Sequence, residues 1–521
     1  VPSGRHRRPV PGPPAGWPAA LTTGLPLLLL TAAAALVSAG LEPPAPLVAL
    51  GTVTVLGLVG SPLVASTRIP VPDPLTRVVL AVALGLVLIS ALVAGLDAVR
   101  PETRPGPLTC LLVVDGLVVA LRLVARWSTG APDRPPRTSL RAVLPWSLLT
   151  ALPVLGWLDA TGTTTSPGWL RLAVLGSTLV LLLHRHLRTA DGAGATSGRG
   201  VTAAVLYCVT VAVLTPFTDP GSSVAPDWTR VLASAGGITA GEVERIVLPM
   251  LAGVVVVAAW LTAERVLGGG RAVVVATVVL AVLLAAPSNW GDLPVAAAVL
   301  LVLAGGGAPA VSALRRRRVA VLVLTVGALV NAPSAVVFAA QLCLAAVLTL
   351  LVGRSARAVL TLPLAAGVAI AAGIATVLHD RVDLATSPWT PTALVVTGLA
   401  VVGFVAVLTR RSRPAVRDQE FLFVVTAGLL LEVVATVGSS GTVVLTHVLV
   451  PLAVPAALGA GTAWSLLAAG LGVVLDRVPD RLLRSPARAT AGHRLPPQRL
   501  NRTALAALAL LALEYVARAL D

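Results

Sequence analysis

Residues 78–97 read VVLAVALGLVLISALVAGLD, nineteen residues without a formal charge followed by Asp97. Wound as an α-helix, such a run rises about 30 Å, the thickness of a bilayer's hydrocarbon core. It is far too long for a buried strand, so length decides between helix and strand where apolar periodicity does not. Arginines bracket it, Arg68 and Arg77 on one side and Arg100 and Arg104 on the other. Working outward, blocks of the same kind recur from Trp17 to the last residues, among them 108–125, 201–217, 246–263, 272–286, 293–313, 319–338, 340–353, 358–377, 392–408, 421–438, 443–475 and 503–519. The sequence therefore predicts an all-α fold, a polytopic transmembrane helix bundle of about 14–17 spans.

Composition agrees. The chain has 521 residues, of which 56% are hydrophobic and 12% charged, with a mean hydropathy of +0.90. Soluble domains carry about 25% charged residues, so half that share excludes an ordinary globular enzyme and excludes disorder as well. The formal charge of +16 rests on 39 basic residues, all arginine, which excludes a catalytic or Schiff-base lysine. They stand in short clusters between apolar blocks, as topology signals do, rather than in a stripe interleaved with aromatics, so no nucleic-acid partner is expected. The arginine bias fits a GC-rich bacterium, and the expected location is its cytoplasmic membrane. Cys110, Cys208 and Cys343 lie singly in apolar runs without a CxxC or Cys/His spacing. Three buried thiols are expected, with neither metal nor cofactor.

The arginines orient the bundle. With the N-terminus in the cytoplasm, 32 of the 39 fall on the inner side and 7 on the outer, the asymmetry of the positive-inside rule. This divides the chain into a basic cytoplasmic N-terminus (1–16), an N-terminal transmembrane bundle (17–245), a second bundle (246–475), a basic cytoplasmic segment (476–502) and a C-terminal helix (503–521). The 33 residues 443–475 carry no formal charge, and the flanking sides demand an odd number of crossings. A break near Gly459, Gly461 and Thr462 would satisfy both, and breaks are tolerated only against protein or a water-filled cavity. The outer loop 216–245 is the longest on its side, with room for an interfacial turn of helix before the next span.

Ionisable groups in mid-span are costly and are the first places to seek function. Asp115 lies in CLLVVDGLVVALRLVARW with Arg122 two turns on, which fits a structural ion pair and a transport site equally. Glu432, in FLFVVTAGLLLEVVATVG, has no cation in its own helix, and burial raises a carboxyl pKa toward neutrality, so it is the better proton carrier. Glu514 and Arg518 read as an i,i+4 pair near an interface. His447 is either a hydrogen-bonded packing residue or a group titrating near neutral pH. Asn331 is followed by Pro333, and this polar kink suits either a substrate-lining helix or close helix packing.

Residues 300–345, LLVLAGGGAPAVSALRRRRVAVLVLTVGALVNAPSAVVFAAQLCLA, resemble the monovalent cation/proton antiporter superfamily. In that family a span ending in a polar Pro motif and a basic turn precede a span carrying Asn-Asp or Asp-Asp. Residues 419–455, QEFLFVVTAGLLLEVVATVGSSGTVVLTHVLVPLAVP, are similar to a later pair of spans joined by a Gly/Ser break. The resemblance covers about residues 271–455. It implies a membrane transporter with a proton and a monovalent cation as partners. The chain departs from the pattern where Gly307 and Ala308 precede Pro309, and where Ala332 follows Asn331. The family's usual acids are absent there, so cation coupling would need another carboxylate, Glu432 being nearest.

Two function classes stand. The first is a transporter or permease working through a midplane cavity. The alternative is a membrane enzyme acting on lipid-linked sugars or cell-envelope polymer, using an outer acid as general base from among Glu42, Asp97, Glu102, Asp219, Asp227, Glu242, Glu244, Asp380 and Asp383. A non-catalytic envelope scaffold is a third possibility. There is no GxxxxGK[ST] run, so an ATP-driven pump acting alone is excluded.

Overall fold

The computed structural model describes four helices, a two-residue strand pair, and single helical positions at 60, 229, 294, 297, 298, 301, 340, 341, 343, 344, 347, 398–402 and 405. The helices are α1 (Pro74–Val99), α2 (Thr196–Leu214), α3 (Ala240–Leu267) and α4 (Gly269–Ala285). They coincide with four of the apolar blocks read from the sequence. The strands β1 (Ser387–Pro388) and β2 (Thr442–Val443) pair antiparallel, Ser387 opposite Val443 and Pro388 opposite Thr442. The remaining described elements are helical.

The helix ends follow from local chemistry. Pro74 opens α1, where a missing N–H costs nothing because the first turn has no partner for it. Thr239 precedes α3 and its carbonyl accepts the Val243 N–H at 3.2 Å, the first bond of the helix. Thr239 and Glu242 have the spacing of a capping box. The helix ends at Leu267 and α4 begins at Gly269, a single residue lying between them. With so short a connection and extensive contact between the two, α4 folds back along α3 as a helical hairpin. Pro216 and Pro287 follow soon after α2 and α4, neither of which a helix could easily run through.

Helix α3 is the hub, packed against α4 and α2 and more lightly against α1. Along α4 the buried residues Ala272, Val275, Ala276, Val279, Leu280 and Leu283 recur at i, i+3, i+4 spacing, one face laid on a neighbour. On α3 burial runs all round the helix, with Val255, Ala258, Leu261 and Ala263 at 1% exposure or less. Among the described residues, its segment Val247–Arg265 is the one helix long and apolar enough to cross a membrane.

Two glycines set how closely neighbours approach. A Cβ on Gly253 of α3 would stand 2.7 Å and 2.8 Å from the Tyr207 ring and 3.3 Å from Val211, so the ring of α2 lies over bare backbone. A Cβ on Gly60 would overlap the Ala81 carbonyl and come within 2.8 Å of the Gly85 nitrogen. Ala81 and Gly85 are four residues apart, the small-xxx-small spacing that lets helices in lipid pack backbone to backbone.

Candidate functional site

The polar groups of the packed helices fall into three kinds. In the first, a hydroxyl is satisfied by its own helix. Thr210, Thr262 and Thr277 donate to the carbonyls of Leu206, Ala258 and Val273, four residues back, at 2.7, 2.8 and 2.9 Å. This allows a buried threonine among apolar side chains without a partner from another helix.

The second kind ties elements together. Arg265, in the last turn of α3, donates from Nη1 to the Leu301 carbonyl at 2.9 Å and from Nη2 to Thr76 Oγ1 at 2.6 Å. A cation suits the negative end of the helix dipole. Its planar fork reaches two acceptors at once, which an ammonium at that position would do less well. One side chain thereby joins the C-terminal end of α3, the first turn of α1 and the segment holding Leu301, just ahead of the triple glycine 305–307. In the sequence reading Arg265 served only as a topology signal.

The third kind is buried without a partner among the described residues. Glu244 in the first turns of α3 is 2% exposed, and its Oε1 has no hydrogen-bond partner there. The flanking Val243 and Val247 are fully or almost fully buried. Loss of water around the carboxyl pushes its pKa up to about 7. Gln341 is fully buried with both its amide oxygen and nitrogen unpartnered, and Trp260 has an unpartnered indole N–H.

The structure corrects the placement of several acids. Glu242 and Glu244 belong to α3 and Asp97 to α1, so none of the three is an outer-loop residue. The anticipated turn of helix before the span is the first turn of α3, and Glu244 within it is buried because it shares a face with Val247 and Leu251 at i+3 and i+7. That spacing was visible in the sequence. Cys343 is a half-buried thiol rather than a fully buried one. Glu432, Asn331, His447, Asp115 and Arg122 lie outside the described residues, as do Glu514 and Arg518.

No protein-family model, curated protein or solved structure matches the chain.

Proposed function

We propose that the chain is a multi-pass transporter or permease of a bacterial cytoplasmic membrane. The observation that carries this reading is α3. It is a span-length apolar helix enclosed by other apolar helices, with an acid, Glu244, enclosed at one end and no partner for it among the described residues. A packed helix that served only as scaffold would gain stability by replacing such an acid with an apolar residue. Transport gives the acid a use.

Three further features support a lipid environment. Val401, Val402 and Val405 share one helix face and are 46, 43 and 50% exposed, a patch that lipid tails cover at no cost. Buried threonines bonded to their own helix suit a solvent without hydrogen bonds. The pairing of β1 with β2 joins two segments that the arginine count assigns to the same, outer side. Asn331, Glu432 and His447 remain the proposed transport residues of the antiporter-like region, with Asp115 and Arg122 in the N-terminal spans. Proton and monovalent cation are the proposed substrates.

The test is ion-driven proton movement in proteoliposomes loaded with a pH dye and pulsed with Na⁺ or K⁺, with Glu432→Gln in parallel. Cation-dependent dye recovery, lost in the variant, would support antiport through that carboxylate. A flat response to both cations from inserted, folded protein would sink it.

A further inference from the structure

At the N-terminal end of α3, an enclosed carboxyl coincides with a fault in the helix itself. Pro249 is buried inside α3 and has no N–H to give the Arg245 carbonyl one turn earlier. Glu244, the residue before Arg245, has its Oε1 buried without a donor among the described residues. A carboxylate that is 2% exposed, with neither cation nor donor among the described residues, is costly to keep ionised, so taking up a proton or a cation would relieve it.

Among the described residues no charged side chain is bonded to Glu244 Oε1. Helix α2 carries Arg199 in its first turn, with Tyr207 and Cys208 further along, and the Tyr207 ring lies at Gly253, more than two turns from Glu244. Helix α4 carries only Arg271, two residues past the hairpin turn and so at the opposite end of α3. Helix α1 carries Arg77 beside Thr76, at the end tied to Arg265, and Asp97 in its last turn. On α3 itself Glu242 and Arg245 flank the site in sequence, while Glu264 and Arg265 stand at the far end.

We propose that Glu244 is a proton-exchange group at the outer end of the transport path, holding a proton while closed off from water and passing it to water when water reaches the site. The proposal rests on the transporter reading for its place in a path, and on the enclosed Glu244 carboxyl, whose Oε1 has no donor among the described residues, for its chemistry. A proton is the fitting ligand: it needs one carboxyl oxygen, whereas a metal cation needs several oxygen ligands, and among the described residues no group of three or more His, Cys, Asp or Glu stands together.

The experiment separates the two. Full-length protein in lipid nanodiscs is treated with dicyclohexylcarbodiimide, whose nitrogen takes the proton of a protonated carboxyl while the carboxyl oxygen adds to its central carbon. Acyl transfer to nitrogen then leaves a stable N-acylurea that peptide mapping locates. The Glu244 peptide is expected to label, with a fall of about tenfold between about pH 6 and about pH 8, as a group titrating near 7 requires. Glu244→Gln should abolish that label. No label at either pH, with another acid of the same protein labelled, overturns the proposal, as does labelling that ignores pH. In proteoliposomes, flux by Glu244→Gln should lose the pH dependence that wild type shows, and Glu244→Asp should regain part of it. Wild-type flux beside an unlabelled Glu244 overturns the proton site and leaves transport standing. A pH-dependent label without any wild-type flux does the reverse.

Discussion

The two ends of α3 treat charge in opposite ways. At the C-terminal end Arg265 gives two hydrogen bonds to two other elements and is held in place by them. At the N-terminal end Glu244 is more deeply enclosed, yet its Oε1 has no partner among the described residues. A satisfied cation fixes geometry, since moving it breaks two bonds and parts three elements. An unsatisfied acid fixes nothing, and its free energy depends on whether a proton is present. The same helix thus offers an anchor at one end and a titrating group at the other.

The largest expected effect comes from removing the anchor. Arg265→Met should lower stability by about 3 kcal/mol, because the Leu301 carbonyl and the Thr76 hydroxyl lose a charged donor. Arg265→Lys should recover only part, one donor position being lost. Thermal unfolding in detergent with and without each substitution measures this, and equal stability of Met and wild type would remove the contrast between the two ends. Next is the packing that holds α3 between them. Gly253→Val should cost about 2 kcal/mol by driving the Tyr207 ring off the helix. Tyr207→Ala in the same chain should return some of that loss, so the double-variant cycle should show coupling.

Glu244→Gln should act in the stabilising direction, and only above a certain pH. The folded state binds the Glu244 proton more tightly than the unfolded chain, whose carboxyl has its ordinary value of 4.5. Its contribution is therefore intact below about pH 4.5 and is lost as pH rises through about 7. The variant should match wild type in acid and exceed it above neutrality by an amount on the order of 2 kcal/mol. Unfolding curves across that range decide it, and a pH-independent difference would mean that Glu244 is ionised throughout. The smallest effect is expected at Thr262→Val. The hydroxyl bonds the Ala258 carbonyl of its own helix, which keeps its backbone partner, so the change should be under about 1 kcal/mol.

How much of this was legible beforehand differs between the fold and the site. Helix positions followed from length, the apolar blocks 78–97, 201–217, 246–263 and 272–286 lying within α1 to α4 or overlapping them, whereas the ends at Pro74 and Thr239 emerged only with the structure. The site was only partly legible. Searching for acids in mid-span led to Asp115 and Glu432 and left Glu244, two residues ahead of its apolar block, among the outer-loop acids. A face-by-face reading of Glu244, Val247 and Leu251 would have foretold its burial. Nothing comparable in the sequence foretells the partners of Arg265, because Thr76 and Leu301 are 189 and 36 residues away from it in the chain.

The sequence by itself determined that these segments are apolar helices and where their apolar stretches lie, since those properties depend on neighbours within a turn or two, while the ends at Pro74, Thr196 and Ala240 lie four to six residues beyond those stretches. It also determined that charge would collect at their ends, because a charge within an apolar run is too costly to be frequent. Only the tertiary structure decided which of those end charges is bonded and which is left enclosed. That outcome depends on which distant backbone carbonyl or hydroxyl packing brings within about 3 Å, a distance that no local pattern encodes.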